Sequence, residues 1–372
     1  MARSISFEPS RTLQEFRLLP GLTDPRTSFE QISLKTNLSN DNNLSINVPI
    51  IAAAMQAVSG SKLALSLSRE GGLAAIYCSQ SPEDQASMVK AVKENLLQPP
   101  ATSLHEFPHQ ISKASAAINT HDYTTRVPLL IAAGVDLLVI DSSDGHSYYQ
   151  RKTIEWIKAH FPNTPVVAGN IITEEAFFYL AESGANAIKI GMGNGSICIT
   201  QEQKGTGRGQ ATALMEVVHA REIFYKETGK YVPLISDGGI TSDKDIIIAL
   251  ALGADAVMMG RYFARTDESP TDKVIINNKC YKPYWGEGST KAQEWRKARY
   301  RQSLFEEGVE GFVECVGSLH QVLPVTLAKI RSAMSTAGAQ TIREFQENSR
   351  LELMSPPAQQ EGKVHSIYQN NP

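Results

Sequence analysis

Short apolar runs recur along the chain, each closed by Gly, Asp, Asn or Ser and followed by a longer amphipathic stretch. The runs are VPIIAAAM (48–55), GLAAIY (72–77), ASAAIN (114–119), DLLVID (136–141), TPVVAGN (164–170), NAIKIG (186–191), VPLISDGG (232–239) and DAVMMG (255–260). Most are near-continuously apolar, the pattern of strands buried on both faces. Between them, KLALSLSRE, QRKTIEWIKAHF, EEAFFYLAESG, ALMEVVHAREIFYKETG and DKDIIIALALG carry helical spacing. Gly184 and Gly253 stand where a left-handed residue would end a helix. Helices between buried strands mean parallel pairing. Eight such units in succession predict an α/β fold, a single parallel (β/α)8 barrel, in preference to an open doubly wound sheet.

Two segments interrupt this rhythm. Residues 96–112, LLQPPATSLHEFPHQIS, form a Pro-rich link between the second helix and the third strand. After the eighth strand, residues 270–312 form a long insertion before a last helix (VTLAKIRSAMSTAG), and an insertion there reads as an active-site finger or flap. The aromatic pair Tyr284–Trp285 with Gly286 and Gly288 marks it as functional.

Composition narrows the function. A chain of 372 residues falls within the range of one barrel, and 42% hydrophobic residues supply a large core. A net charge of −3 and no basic stripe give no sign of a dedicated nucleic-acid site. No apolar run approaches the ~18 residues that would span a bilayer, and MARSISFEPSRTLQEF lacks the apolar core of a secretory signal. Cys78, Cys198, Cys280 and Cys315 are widely spaced with no C-x-x-C pair, which fits a reducing, cytoplasmic setting and argues against both a disulfide framework and a zinc site. His105 and His109, in HEFPH, read as loop residues.

In barrels of this kind the chemistry lies just past the strand ends. Those positions are Met55, Asp141-Ser142-Ser143, Gly169-Asn170, the 191–200 loop, Asp237-Gly238-Gly239 and Gly260-Arg261. In the sixth loop, GMGNGSICIT, Gly191, Gly193 and Gly195 expose backbone amides that with Ser196 can cradle a phosphate or present carbonyls to a cation. Cys198 follows, accessible on a loop, where a thiol can act as a nucleophile. Gly238, Gly239 and Gly260 match the usual phosphate pocket after strands seven and eight, Arg261 adds a charge, and Asp237 suits a ribose diol.

Taken together, SDGGI, the glycine loop ending Ser-Ile-Cys-x-Thr, DSSDGHS, GRGQATA, YWGEGS and the terminal EG-x-x-H resemble the inosine monophosphate (IMP) dehydrogenase/GMP reductase family, on its dehydrogenase side. The resemblance covers nearly the whole chain except 96–112, where the family's tandem cystathionine-β-synthase-type module usually stands. It implies oxidation of IMP to xanthosine monophosphate (XMP) with NAD through a covalent Cys198 adduct. It gives the phosphate to Ser196, Gly238, Gly239, Gly260, Arg261 and Tyr284, the ribose to Asp237, and the base to Met55, Gly286, Glu287, Gly288 and Glu307. Asp141, Ser142, Ser143 and Asn170 would face the nicotinamide of NAD, with Gly191 and Gly193 beside them. Potassium would bind carbonyls of Gly191, Gly193 and Cys198 together with Glu361, Gly362 and Lys363 of a neighbouring subunit, in a homotetramer. For hydrolysis of the adduct the resemblance offers Arg299 with Tyr300, and Thr200 with Glu307 as a second proton route. Asn194, Gln201 and Arg261 depart from the commoner residues of the family, and the flap is a few residues short. GMP reductase, the alternative activity, would lack the Arg-Tyr pair and carry a Glu near Ser289-Thr290. A turnover-deficient nucleotide-binding homologue is the other alternative.

Overall fold

The computed structural model describes residues 5–41, 44–98, 109–292 and 304–366. Eight strands close a barrel in chain order: β1 (Ile50–Ala52), β2 (Leu73–Ile76), β3 (Ser115–Ile118), β4 (Leu137–Ile140), β5 (Val166–Ile171), β6 (Ala187–Ile190), β7 (Leu234–Asp237) and β8 (Ala256–Met259). Every pairing is parallel, and β8 returns to β1. Each strand is followed by a helix: α1 (Ser61–Arg69), α2 (Pro82–Leu96), α3 (Tyr123–Ala132), α4 (Tyr148–His160), α5 (Glu174–Glu182), α6 (Gln210–Thr228), α7 (Asp243–Ala251) and α8 (Leu319–Thr336). Local sequence sets their ends. Ser81 and Thr173 accept from the Asp84 and Ala176 amides as N-caps, while Gly184 (φ 95°) and Gly253 (φ 112°) follow helix ends as expected.

Alternation within the strands sorts the core into two. Ile51, Leu73, Ala75, Leu137, Val139, Val167, Ala187, Ile235 and Met258 point inward and fill the barrel. Ile50, Ile76, Ile140, Ile188, Leu234 and Val257 point outward against Leu63, Leu67, Ile154, Phe177, Leu214 and Ile246 of the helices. Burying each Leu or Ile in this way contributes about 1.5–3 kcal/mol. A short hairpin (Thr36–Asn37 with Ser45–Ile46) adds Leu38, Leu44 and Ile46 to the interior cluster. The Asn40 amide donates to the carbonyl of Asn186, which precedes β6, so the hairpin closes the N-terminal mouth and leaves the C-terminal mouth for the site.

Between α2 and β3 there is room for a link only, and the chain lacks the tandem regulatory module at that point. Residues 99–108 of this link, His105 among them, lie outside the described residues. The insertion after β8 is more ordered than a loop. It forms an antiparallel sheet of β9 (Val274–Ile276), β10 (Lys279–Trp285) and β11 (Glu310–Glu314), with Asn277 and Asn278 left-handed in the first turn.

One expectation is corrected here. The cysteine spacing argued against disulfides, yet Cys280 and Cys315 are bonded to each other. They are 35 residues apart in sequence, but they meet across β10 and the end of β11, where the Cys315 amide donates to the Cys280 carbonyl and the Cα atoms lie 5.5 Å apart. That is an ordinary disulfide separation. Cys78 and Cys198 are not joined in a disulfide.

Candidate active site

A cavity of about 530 Å³ opens at the C-terminal mouth. Interior alternation places its charged floor. Two residues beyond the inward Ala187 comes Lys189, and two beyond Ile235 comes Asp237, both at the top of the barrel. Lys189 is 2% exposed, and its Nζ lies 3.4 Å from Asp237 Oδ2. Asn170, at an irregularity in the β5–β6 register, donates from Nδ2 to the same carboxylate oxygen at 2.9 Å and to the Gly191 carbonyl at 2.8 Å. The ends of β5, β6 and β7 are therefore tied together. Gly191 sits at φ 138° where an added Cβ would overlap the Asp237 carbonyl, so no other residue fits this junction.

The cysteine loop is held on two sides. Below, Gln210 of α6 donates to the Ile190 carbonyl and the Ser236 hydroxyl and accepts from Asn194 Nδ2. Above, Cys198 bridges to Gly308, the Ile199 amide donates to the Glu307 carbonyl, and Val309 donates to Ile197. The segment 307–309 is bonded on its other side to the 286–288 turn. Finger and cysteine loop thus form one unit, and it presents a short chain of polar atoms. Cys198 Sγ lies 3.2 Å from Thr200 Oγ1, which donates to Glu307 Oε2 at 3.2 Å, while Lys204 Nζ stands 3.4 Å from that same oxygen.

The ends of β7 and β8 line another part of the same cavity. Tyr284 of β10 reaches it from the finger, its hydroxyl in hydrogen-bond contact with Ser196 and 3.9 Å from Met55 Sδ. Burial, reinforced by the nearby Asp237 charge, pushes the Tyr284 phenol up to about 12, so it remains a proton donor at neutral pH. A Cβ on Gly260 would stand 2.6 Å from the Tyr284 hydroxyl and 2.9 Å from the Met55 sulfur, so a larger residue would push these side chains aside.

The sequence expectations meet in this one cavity. Met55, Ser196, Asp237, Gly238, Gly239, Gly260, Arg261 and Tyr284 line it, as do Gly286, Glu287, Gly288 and Glu307 of the finger. Asp141, Ser142, Ser143, Asn170, Gly191 and Gly193 line its other side, with Cys198 and Thr200 between. The Glu287 carboxylate accepts from the Gln56 amide at 2.7 Å and from the Ser79 hydroxyl, which tie the 286–288 turn to the loops after β1 and β2. Glu361, Gly362 and Lys363 lie exposed at the end of the helix Pro356–Glu361, outside the cavity lining. Arg299 and Tyr300 lie outside the described residues. Sequence reasoning missed Lys189 and Gln210. The signal for Lys189 was present in NAIKIG, a lone cation at an inward position of a buried strand.

Fold and cavity together define a class: a (β/α)8 barrel with an accessible thiol, a half-buried lysine–aspartate pair and a glycine-lined cavity at one mouth. A family model described as IMP dehydrogenase / GMP reductase domain matches residues 10–365, and the chain belongs to that family. It is similar to inosine-5'-monophosphate dehydrogenase of Tritrichomonas foetus, 35% identical over 97% of this chain and 96% of that protein. That alignment runs over 485 positions, more than this chain's 372 residues, so the relative carries additional sequence. Proteins of the same name from Borreliella burgdorferi (33% identical, 96% of this chain, 97% of the relative) and Cryptosporidium parvum (31%, 96% and 95%) are similar over equal spans.

Proposed function

We propose that this chain is an IMP dehydrogenase that oxidises IMP to XMP with NAD through a covalent intermediate on Cys198. The observation that carries this reading is the Cys198–Thr200–Glu307 chain of contacts, set in one cavity with the Gly239 and Gly260 backbone, a neutral tyrosine and the Asp237 carboxylate. Ser196, the Gly239 and Gly260 backbone, Arg261 and Tyr284 hold the phosphate. Both polar contacts of Asp237 fall on Oδ2, and Oδ1 is left for the ribose hydroxyls. The Cys198 sulfur adds to carbon 2 of the purine, which breaks an unfavourable aromatic oxidation into addition, transfer and hydrolysis.

NAD, when bound, supplies the acceptor for the hydrogen and electron pair that leave carbon 2. The nicotinamide side of the cavity fits such a group. Asn170 Oδ1 is buried there without a hydrogen-bond partner among the described residues, a ready acceptor for a carboxamide. Asp141, Ser142 and Ser143 border the same space. Water then adds to carbon 2 and the sulfur departs, leaving XMP. Thr200 takes the water's proton as it passes its own to Glu307, and Arg299 with Tyr300 supplies a second route.

Potassium belongs to the same proposal. The donor set at the cysteine loop is oxygen only, as a hard monovalent cation requires. Met192 O, Gly193 O and Asn194 Oδ1 converge on Gln201 Nε2 at 3.4, 3.1 and 2.7 Å, so the amide now stands among oxygens of the kind an ion would take. Gly193 with Gly191 and Cys198 would hold the ion once that amide swings out, joined by Glu361, Gly362 and Lys363 from a neighbouring subunit of a homotetramer. A cytoplasmic setting follows from the same family reading. Among the described residues no helix is long and apolar enough to cross a membrane.

The test is the appearance of NADH absorbance from IMP plus NAD, against loss of NADPH absorbance with GMP. Steady NADH production with no GMP-dependent oxidation is expected. The reverse result would make the chain a GMP reductase, and a single burst of NADH per site would make it a turnover-deficient homologue.

A further inference from the structure

A second cavity, of about 820 Å³, lies beside the first between α7, the short helix Arg261–Ala264 and α8. The two cavities share Ile240, Thr241, Met259, Arg261 and Tyr262, so Arg261 stands in the wall between them. The second cavity is strongly positive although the chain as a whole is acidic. It is lined by Lys244, Arg261, Arg265 and Lys329 against the single carboxylate of Asp243. Asp243 is already engaged with Lys329 Nζ at 2.5 Å and with the Thr326 hydroxyl at 2.9 Å. Lys244 pairs with Asp245 at 3.3 Å. Among the described residues, Arg261 and Arg265 have no carboxylate within ion-pair distance.

Their placement sets two like charges side by side, with Arg261 exposed and Arg265 half-buried. Arg265 follows Arg261 by four residues at the end of one helical turn, where side chains share a face with Cβ atoms about 6 Å apart and like charges repel. Burial, and after it the charge of Arg261, holds the Arg265 guanidinium below the usual arginine range. Only Arg265 Nε is spent, on the Glu314 carbonyl at 3.0 Å, which fixes the group and leaves its terminal nitrogens to donate. Two arginines, one anchored and neither in an ion pair with a described carboxylate, flank the far side of the pocket proposed for the 5′-phosphate.

We infer that this is a second phosphate subsite, which takes the β-phosphate of a purine nucleoside 5′-diphosphate whose α-phosphate lies against Gly239, Gly260 and Tyr284. The inference rests on the proposed function for the placement of base and α-phosphate, and it makes diphosphates competitors of the monophosphate substrate. A bound β-phosphate would place a negative charge between Arg261 and Arg265 and remove their repulsion. The monophosphate reaches Arg261 only.

Calorimetric titration of the full chain with IMP and with inosine 5′-diphosphate tests this, alongside inhibition of IMP turnover by the diphosphate. The diphosphate should bind at least as tightly as IMP and compete with it. Arg265→Gln should weaken the diphosphate about tenfold, the loss of a charge-assisted contact, while changing IMP affinity less than about twofold. Arg265→Lys should recover part of the loss, which a folding defect would not. Equal weakening of both ligands, or no change for the diphosphate, overturns the subsite. Inorganic pyrophosphate binding that Arg265→Gln weakens, without competition from IMP, would also overturn it by marking a free anion site. If the chain binds both nucleotides with the expected Arg265 dependence but does not oxidise IMP, the subsite stands and the proposed activity falls.

Discussion

Replacing Thr200 with Val removes one hydroxyl from the centre of the proposed proton path and little else. The side chain is 4% exposed and its oxygen lies 3.2 Å from both the Cys198 sulfur and Glu307 Oε2. Glu307 keeps Lys204 at 3.4 Å, and stability should fall by about 1.5–3 kcal/mol, the cost of one hydrogen bond to a charged group. The chemical effect should be larger and confined to one step. A positioned base contributes about 10²–10⁴ in rate, so hydrolysis should slow at least ~100-fold, or about 2.7 kcal/mol in barrier. Formation of the Cys198 adduct and the first NADH should change little, since neither consumes water. Stopped-flow absorbance should then show a burst of one NADH per site followed by slow turnover, and mass spectrometry should find nucleotide on Cys198. Thr200→Ser should restore the steady rate. Arg299→Ala supplies the comparison, because whichever of the two routes carries the proton will show the larger burst. Loss of burst and steady phase in equal measure, or a Thr200→Val rate within about threefold of the parent, would refute this path.

Three further outcomes follow from the same geometry. Cys198→Ala should abolish NADH formation while IMP still binds by calorimetry, because the phosphate and ribose contacts lie on other residues; retained turnover would remove the covalent step. Tyr284 titrates near 12 in the fold against 10.0 unperturbed, so its neutral form is the one the fold favours. That contribution, about 3 kcal/mol, is whole below about pH 10 and is lost as pH rises through about 12. Tyr284→Phe should therefore show a smaller drop in Tm across that alkaline range than the parent, and an identical drop would contradict it. Potassium should raise turnover over sodium, and Gln201→Ala, by vacating the oxygens of Met192, Gly193 and Asn194, should lower the potassium concentration needed; a flat response in both proteins would discard the cation site.

What could be read in the sequence is what period and position determine. A strand buried on both faces announces itself by composition, and once eight are counted, the residues just past each run must meet at one mouth. Met55, Asn170, Cys198, Asp237 and Arg261, scattered over more than half the chain, converge for that reason. Lys189 went unremarked because the runs were read for their ends and not for their inward positions, although the alternation that buries Ala187 also carries the lysine to the Asp237 carboxylate. The finger hid more. Its strands pair across an insertion, and nothing in the spacing of Cys280 and Cys315 reveals which β10 residue faces which β11 residue. That pairing also positions the chemistry. The sheet that joins the two cysteines brings Tyr284 to Ser196 and Met55, while the segment leading into β11 brings Glu307 to Thr200. The least regular part of the sequence thus supplies two groups that a barrel alone could not: a buried phenol that stays protonated and a carboxylate hydrogen-bonded to the cysteine loop.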